Sequence, residues 1–293
     1  MYDLSTLLQF LIGGISVGCV YGLVGIGYSV LYNASGIINF AQGAFVMLGG
    51  MITYVLFTLL GIPLPLAILG AVVCVGLLGY AIELSVIRPL RQRNASIFIM
   101  ILATLACQIL IENATLHLVD DKPHSFPYFT PGPPVKIFGA AVGLQDFWII
   151  GISLLLVFLL WLLYRRTKFG RAMLACAINP DVARVLGIRV ERMVAAAFLL
   201  SAVLGAIGGV LITPSRYTAF FVGIPFAVSG FIAAIIGGLG NPLGAFVGGI
   251  ALGILQAVGV VFFDAGYKNV VAFTALLLLL FLRPQGIFKS LIE

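Results

Sequence analysis

The chain has 293 residues, of which 62% are hydrophobic and 9% are charged. A soluble domain carries about 25% charged residues, so this composition excludes a soluble globular protein and predicts a polytopic membrane protein. The apolar runs are continuous and about 20 residues long, as in membrane-spanning helices, whereas a β-barrel would show shorter segments of alternating polarity. The net charge of +6 does not indicate a nucleic-acid partner, because basic residues of membrane proteins usually mark topology.

Nine apolar segments follow one another along the chain, which predicts an all-α fold. The segment at 225–238 is short enough to be re-entrant, so about eight to ten transmembrane or re-entrant helices are expected. We interpret residues 1–293 as a single transmembrane domain with a first half at 7–118 and a second half at 147–282. The nine segments lie at 7–31, 37–60, 63–87, 96–118, 147–164, 193–213, 225–238, 243–263 and 269–282.

The basic residues are distributed unevenly between the two sides that these segments define. Twelve of the sixteen Lys and Arg residues fall on one side, which the positive-inside rule makes cytoplasmic. The N-terminus is then outside and the C-terminus inside, and the odd number of segments agrees with this topology. The twelve residues are Arg88, Arg91, Arg93, Arg165, Arg166, Lys168, Arg171, Arg184, Arg189, Arg192, Arg283 and Lys289.

Three glycines at a spacing of four, Gly14, Gly18 and Gly22, lie in the first segment. This pattern of small residues predicts a face on which another helix approaches closely. Residues 14–18 also match the G-x-S-x-G motif of serine hydrolases, but that motif requires a strand-to-helix turn and a histidine partner. Since this match lies inside an apolar helix, we reject it.

A polar and glycine-rich stretch, residues 33–50, follows the first segment. Asn33, Asn39 and Gln42 interrupt an otherwise apolar run, and an unpaired polar group in hydrocarbon is costly. We interpret this stretch as a broken helix that lines a solute path. The alternative is tight helix packing, in which the amides form hydrogen bonds across helices.

Two acidic residues, Glu83 and Glu112, lie near the spans. We interpret Glu83, which shortly precedes Arg88, as an interfacial carboxylate beside basic residues, with a proton relay as the alternative. Two acids are too few for a chain of proton carriers across the bilayer.

A long loop at 119–146, predicted to be external, connects the two halves. Its five prolines argue against a regular helix. Its histidines and aspartates do not have the spacing of a metal site. Contact with an external partner and a plain connector both remain open.

A second polar stretch, residues 165–192, predicts two short amphipathic helices on the cytoplasmic side. Asn179 suits a helix N-cap, Pro180 the first turn, and Asp181 the positive end of the helix dipole. Gly187 suits the stop at the C-terminus. Such helices lie on anionic lipid or dock into a groove of a soluble partner, and the pattern leaves both open.

The late segments repeat part of the opening stretch. Residues 43–46, Gly-Ala-Phe-Val, recur at 244–247, and Asn241-Pro242 interrupts the helix before them. Paired interruptions in the two halves of a transporter point to its solute site. The residues predicted for the solute path and its gate are Asn39, Phe40, Ala41, Gln42, Gly43, Gly240, Asn241 and Pro242.

Four motifs, found in order, extend over the whole chain. With them, the sequence resembles the permease subunits of the branched-chain amino acid class of ABC importers, the LivH/LivM type, and is closer to LivH. The motifs are Gly36–Gly43 (GIINFAQG), Gly170–Ala172 (GRA) followed by Asn179–Asp181 (NPD) and Leu186–Ile188 (LGI), Ile236–Gly244 (IGGLGNPLG) and Arg283–Phe288 (RPQGIF).

The resemblance implies a type II ABC importer-like permease with two related halves, in the bacterial inner membrane. It implies a second permease subunit (LivM-like) or a second copy of this chain, two cytoplasmic ATPase subunits, an external solute-binding protein, and membrane lipid. The chain has no G-x-x-x-x-G-K-[ST] motif, so ATP and Mg²⁺ are expected on the ATPase subunits and no cofactor or metal on this chain. The residues implied for coupling to the ATPase are Gly170, Arg171, Ala172, Asn179, Pro180, Asp181, Ala183 and Gly187.

The expected function is that of a non-enzymatic subunit that translocates a small polar solute, most often a branched-chain or other amino acid in this class. Nothing in the sequence selects the solute. A passive channel for urea or a small amide is the alternative. An intramembrane enzyme is disfavoured, because no His, Asp or Glu set lies at depth for acid–base or metal chemistry.

Overall fold

The computed structural model of the chain describes residues 4–137, 139–263, 265–283 and 285–288. Twelve α-helices and a two-stranded antiparallel sheet account for most of these residues. The helices are α1 (Leu4–Ser35), α2 (Gln42–Tyr54), α3 (Leu64–Ile82), α4 (Arg88–Gln92), α5 (Ile97–Leu118), α6 (Leu144–Arg166), α7 (Lys168–Ile178), α8 (Pro180–Val185), α9 (Val190–Arg216), α10 (Gly223–Gly237), α11 (Pro242–Phe263) and α12 (Lys268–Leu282), and the strands are β1 (Val135–Ile137) and β2 (Ala140–Val142).

Each of the nine predicted apolar segments overlaps one of these helices. In the described part of the chain, seven helical segments are long and apolar enough to cross a membrane. Helices α10 and α12 have 15 residues each, or about 22 Å of helix, which is less than the roughly 30 Å hydrocarbon core of a bilayer. The protein is a multi-pass membrane protein, and the predicted all-α polytopic fold is confirmed.

π-Helical turns lengthen two of the spans. Residues Val55–Leu59 continue α2, and residues Glu83–Ile87 join α3 to α4. The buried Glu83 forms an ion pair with Arg88, with 2.9 Å between Oε2 and Nη2. The predicted pairing of Glu83 with a neighbouring basic residue is therefore present, but the carboxylate is buried within the helical segment Leu64–Gln92.

The connections define two ends of the helix bundle. We call the end that carries α4, α7 and α8 the basic end, and the end that carries residues 119–143 the loop end. Helix α5 runs from the basic end to the loop end, and α6 returns from the loop end to α7. The segments of the basic end and the long proline-rich loop are therefore on opposite sides of the membrane.

Helices α1 and α9 form the centre of the bundle. Helix α1 packs against α9, α10 and α11, and α9 also packs against α2 and α3. Most side chains of α9 are buried, whereas most of those of α5 and α6 are at least partly exposed. The large apolar side chains exposed on these outer helices, such as Leu110 and Phe158, suit contact with lipid.

The glycine face predicted on α1 packs against α11. A Cβ atom placed on Gly18 would lie 2.8 Å from both the carbonyl oxygen of Gly249 and Cα of Ile250, and one on Gly14 would lie 2.9 Å from the carbonyl oxygen of Gly253. Gly22 likewise faces Phe246. The backbones of the two helices are therefore as close as glycine permits, and the predicted helix-packing face is confirmed.

The loop between α5 and α6 is mostly irregular, as its prolines predict, but it also contains the β1–β2 hairpin, which the sequence did not indicate. His124 and Thr218 exchange two backbone hydrogen bonds of 2.8 and 2.7 Å, which hold the loop against the segment after α9. The predicted end of the loop at residue 146 is wrong, because α6 begins at Leu144. Asp146 in its first turn is favourable at the positive end of the helix dipole.

Candidate functional site

The helix break predicted in residues 33–50 is present. Helix α1 ends at Ser35, and Gly36 has φ +69°, a conformation that glycine adopts without the steric cost of a side chain. Helix α2 starts at Gln42, whose backbone N–H donates to the carbonyl of Asn39 at 3.2 Å. Residues 36–41 therefore form a short non-helical connection between two membrane helices.

Gln42 joins three helices in the interior. Its Nε2 atom donates to the carbonyl oxygen of Ser201 at 3.0 Å, and its Oε1 atom lies 2.6 Å from Oγ of the same serine. Ser201 Oγ also lies 3.0 Å from the carbonyl oxygen of Gly27. Gln42 is fully buried, and both ends of its amide have partners. These contacts are those of the packing alternative, and the path assignment of Gln42 stays a prediction.

The neighbours of Gln42 connect the break to α5 and α10. Asn39 Oδ1 accepts a hydrogen bond from the backbone N–H of Ala41 at 3.1 Å, and the backbone N–H of Phe40 donates to Thr104 Oγ1 at 3.1 Å. A Cβ atom on Gly43 would overlap the carbonyl of Gly223 at the start of α10. The first residues of α2 are therefore surrounded by other helices.

The second predicted break lies between α10 and α11. Gly238 and Gly240 have φ +99° and +91°. Asn241 Oδ1 accepts from the backbone N–H of Gly244 at 3.0 Å, which satisfies one of the free donors at the start of α11. Pro242 is the first residue of α11, where its missing N–H costs no helical hydrogen bond.

The structure brings the two breaks together through one hydrogen bond. Asn33 Nδ2, near the end of α1, donates to the carbonyl oxygen of Gly240 at 2.8 Å. Asn33 Oδ1 and Asn39 Nδ2 are buried without a partner among the described residues. Unsatisfied buried polar atoms are costly, and here one lies just before the first break and the other within it.

An aromatic cluster adjoins the first break. The ring centroids of Tyr28 and Phe40 lie 5.6 and 5.9 Å from that of Phe231 on α10. Tilted ring pairs of this kind stabilise a fold by more than the burial of their apolar area alone. The cluster connects the end of α1, the break and the middle of α10.

A cavity of about 1000 Å³ at the loop end was not predicted. Its deep wall includes Tyr21 and Phe226, whose ring centroids are 5.8 Å apart. On α1, the distance from Tyr21 to Tyr28 of the aromatic cluster is seven residues, or about 10 Å. Three charged residues, Asp146, Arg216 and Lys268, also line this cavity.

The sequence contained one signal for the cavity. Arg216 and Lys268 lie on the side of the membrane that is poor in basic residues, and each is at an end of a helix. The positive-inside rule does not explain positive charge on this side of the membrane. The positions of Arg216 and Lys268 therefore indicate another role for these two residues.

At the basic end, α8 has the caps that the sequence predicts. Asn179 Oδ1 accepts from the backbone N–H groups of Asp181 and Val182, both at 3.0 Å. At the other end, Gly187 has φ +81°, and the N–H of Ile188 donates to the carbonyl of Ala183 at 3.0 Å. Together with the bond from Gly187 to the Arg184 carbonyl, this is a Schellman motif.

Helix α7 packs closely on the end of α6. Thr167 caps α7, because its Oγ1 accepts from the N–H of Gly170 at 2.9 Å. Gly170 therefore lies in the first turn of α7, and a Cβ atom there would overlap the carbonyl of Leu163. Cys176 on the inner side of α7 is buried, and burial raises the pKa of its thiol. Arg171 is exposed and Ala172 half-buried.

The outer side of α8 is apolar and exposed. Val185 is 87% exposed and Leu186 71% exposed. Asp181, on the same short helix, pairs with Arg184 at 2.6 Å between Oδ1 and Nη1, and both side chains are at least half exposed. The buried Ala183 faces inward. Exposed apolar side chains grouped at one place often mark a contact surface.

The family follows from comparison with known proteins. Residues 10–282 match the family model described as branched-chain amino acid transport system / permease component. The chain belongs to this permease family. The predicted resemblance to the LivH/LivM type is therefore confirmed.

The permease has relatives of similar length. It is 34% identical to the high-affinity branched-chain amino acid transport system permease protein BraD of Pseudomonas aeruginosa, over 98% of this chain and 97% of BraD. It is 30% identical to LivH of Escherichia coli, over 96% of this chain and 94% of LivH. A solved structure described as PsaBC from Streptococcus pneumoniae in complex with Fab has a TM-score of 0.52 at 16% identity, over 95% of the permease and 92% of that chain. That likeness concerns the fold alone.

Two of the four motifs of the permease meet at the end of α10. The backbone N–H groups of Ile287 and Phe288 donate to the carbonyls of Ile236 and Gly237 at 2.9 and 3.3 Å. Gly286 has φ +81°, and a Cβ atom on it would lie 2.6 Å from the backbone of Gly238. Gly238 and Gly286 are therefore explained by close approach of the backbone after α12 to the α10–α11 break.

Proposed function

We propose that this permease is the membrane subunit of an ABC importer that moves branched-chain or other amino acids across the bacterial inner membrane. The relatives BraD and LivH, which are named as branched-chain amino acid transport permeases, support this substrate class. The observation that carries the proposal is the cavity of about 1000 Å³ at the loop end, which extends to Tyr21 and Phe226 inside the bundle. Such a cavity can receive a solute from one side of the membrane.

The path continues from this cavity to the break at 36–41. The aromatic cluster of Tyr28, Phe40 and Phe231 closes this path. The cluster lies about 10 Å beyond the deep wall of the cavity, measured along α1. Asn39, Ala41, Gln42 and Gly43 form the backbone that positions Phe40. Gly240, Asn241 and Pro242 support the same region through the bond from Asn33.

The basic end is the cytoplasmic side, in agreement with the positive-inside rule. The loop end is then outside, where a solute-binding protein delivers the solute. In this orientation α1 starts outside and α12 ends inside.

Two ATPase subunits bind at the basic end, and α7 and α8 are the contact. The exposed Val185 and Leu186 suit an apolar groove. The residues Gly170, Arg171, Ala172, Asn179, Pro180, Asp181, Ala183 and Gly187 shape or line this contact. ATP and Mg²⁺ bind to the ATPase subunits, and this chain has no catalytic role. A second permease subunit, LivM-like or a copy of this chain, completes the membrane part.

Reconstitution in vesicles tests the proposal. The permease is co-expressed with the ATPase, permease and binding-protein genes that neighbour its own, and the purified complex is placed in proteoliposomes. We expect uptake of radiolabelled leucine, isoleucine or valine that requires both ATP on the ATPase side and the binding protein on the other. A complex with an inactive ATPase is the control.

A passive channel for urea or a small amide predicts a different result. It would equilibrate its solute without ATP and without a binding protein. None of the relatives named here is described as such a channel. Uptake that persists with the inactive ATPase would refute the importer proposal.

A further inference from the structure

Two adjoining cavities at the loop end share a charged wall. The second cavity has a volume of about 580 Å³, and it shares six lining residues with the cavity of about 1000 Å³. Among the described residues that line either cavity, the charged ones are Asp146, Arg216 and Lys268, and all three line both. The shared residues are Gly13, Val17, Gly143, Asp146, Arg216 and Lys268.

These three charges come from three different helices. Asp146 is in the first turn of α6, Arg216 in the last turn of α9, and Lys268 at the start of α12. The ion pairs found in the described residues are at other places, namely Glu83–Arg88, Asp120–His124 and Asp181–Arg184. Two cations and one anion therefore line the same space, and the Asp146 carboxylate has no cationic nitrogen of Arg216 or Lys268 within 4 Å.

Buried polar groups without partners lie in the walls of the same cavities. Gln256 on α11 lines the second cavity, its side chain is 2% exposed, and neither amide atom has a hydrogen-bond partner in the described structure. Ser16 on α1 lines the first cavity, is 1% exposed, and its hydroxyl also lacks a partner there. Such atoms are costly unless a guest molecule or water satisfies them.

The deep wall differs from the charged wall. Tyr21 and Phe226 form an aromatic surface there, next to Val222 and Pro225. The Lys268 ammonium lies 5.7 Å from the centre of the Tyr21 ring. The charged wall therefore adjoins an apolar wall, and one small molecule can contact both.

We propose that the two cavities form one binding chamber for a zwitterionic amino acid with an aliphatic side chain. Arg216 and Lys268 bind the carboxylate, Asp146 binds the ammonium group with help from the Gln256 amide, and the side chain lies against Tyr21 and Phe226. Charge-assisted hydrogen bonds of this kind are stronger than neutral ones. The inference rests on the proposed function, since it assigns a site to that solute class.

Other solutes fit the chamber less well. Urea or another neutral amide would leave the charges of Asp146, Arg216 and Lys268 without counter-charges. A simple anion would meet Asp146, and a simple cation would meet two positive groups. A zwitterion supplies both signs in one molecule.

Solute protection of a cysteine in the chamber tests the inference directly. Tyr128 lines the first cavity and is about half exposed. Tyr128→Cys is therefore introduced after replacement of the four native cysteines, Cys19, Cys74, Cys107 and Cys176. The permease–ATPase complex without the binding protein is labelled with a thiol-specific methanethiosulfonate reagent. We expect leucine to slow the labelling, whereas leucinamide, 4-methylpentanoate and urea do not.

Charge-removing variants identify the groups involved. In the Tyr128→Cys background, Arg216→Gln or Lys268→Gln should raise the half-protecting leucine concentration by about 10-fold or more, as expected for loss of a hydrogen bond to a charged group. Asp146→Asn should do the same. Lys122→Gln, an exposed residue of the loop end that does not line either cavity, is the matched control and should change nothing. Arg216→Lys keeps the charge and should retain most of the protection, which guards against a variant that misfolds.

Two results would overturn the chamber. One is equal protection by leucinamide or urea, and the other is an unchanged half-protecting concentration in the Arg216→Gln and Lys268→Gln variants. Failure of the proposed function has a different signature, because it would show as absence of ATP-driven uptake in the unmodified complex. Normal uptake together with either contrary result removes only the chamber.

Discussion

At the scale of single residues, Gln42 shows how a polar side chain is accommodated in the middle of this bundle. An amide in hydrocarbon is tolerated only when its donors and acceptor are paired. Gln42 achieves this with the carbonyl and hydroxyl of Ser201, and through that hydroxyl it reaches the carbonyl of Gly27. The start of α2 is thereby fixed to α1 and α9.

Replacement of Gln42 by leucine should therefore destabilise the permease. Leucine has a similar size but cannot bond to Ser201, so two buried hydrogen bonds are lost and the serine hydroxyl keeps only the carbonyl of Gly27. Each lost bond costs about 1 kcal/mol. We expect a lower apparent melting temperature of the detergent-purified protein, measured by size-exclusion chromatography after heating. Ser201→Ala should cause a smaller loss in the Gln42→Leu protein than in the unmodified protein, because the bond between the serine hydroxyl and Gln42 is already absent there.

The matched control is Gln92→Leu, since Gln92 is exposed at the end of α4. It should leave the melting temperature nearly unchanged. If Gln42→Leu and Gln92→Leu have the same effect, the bonds to Ser201 do not stabilise the start of α2. Impaired leucine uptake by a Gln42→Leu protein at a temperature where it remains folded would favour the path assignment over packing alone.

At the scale of elements, four of the glycines of α11 form two separate faces. Gly249 and Gly253 meet α1, whereas Gly244 and Gly248 meet Gly237 and the carbonyl of Ala233 on α10. One helix thus approaches two neighbours at backbone distance. Without a hydrophobic driving force between helices in lipid, such close packing is a main source of association.

A methyl group on the α1–α11 face should weaken this packing. Gly18→Ala would bring its Cβ atom to 2.8 Å from backbone atoms of α11, which cannot move aside without shifting the helix. Gly13→Ala on the same helix meets nothing within 4 Å and, by helix propensity, is favourable by up to about 1 kcal/mol. We expect a lower melting temperature and yield for the first variant only. Equal behaviour of the two variants would show that the close approach does not matter for stability.

The sequence predicted the elements better than their partners. The nine apolar segments, the glycine face of α1 and the caps of α8 follow from local patterns, because hydrophobic length, small-residue spacing and cap chemistry act over a few residues. The partner of the α1 face did not follow, since Gly249 and Gly253 are only two of many glycines in the last third of the chain. The cavity was missed for the same reason: Tyr21, Asp146, Arg216 and Lys268 are far apart in sequence and meet only after folding.

At the scale of the whole molecule, α9 connects the three regions considered for transport. It starts beside α8 at the basic end, carries Ser201 near its middle, and ends with Arg216 in the wall of the cavity. Its 27 residues correspond to about 40 Å of helix. If an ATPase moves α7 and α8, as proposed above, the movement can reach both the break at 36–41 and the cavity through this one helix.

If this route operates, a change confined to the exposed side of α8 should stop transport without loss of folding. Val185→Asp places a charge on a side chain that is 87% exposed, so the free energy of unfolding should change by less than about 0.5 kcal/mol. The charge would oppose entry of α8 into an apolar groove, because its desolvation is costly. We expect the ATPase subunits to co-purify in smaller amounts and ATP-driven leucine uptake to fall at least several-fold.

The matched control is Val135→Asp, the same substitution at an exposed position of β1 at the loop end. It should leave ATPase association unchanged, because α7 and α8 are on the other side of the membrane. Normal ATPase recovery and normal uptake with Val185→Asp would show that the apolar side of α8 is not the contact. Normal recovery with reduced uptake would instead locate the defect after binding, in the transmission of movement from α8 to α9.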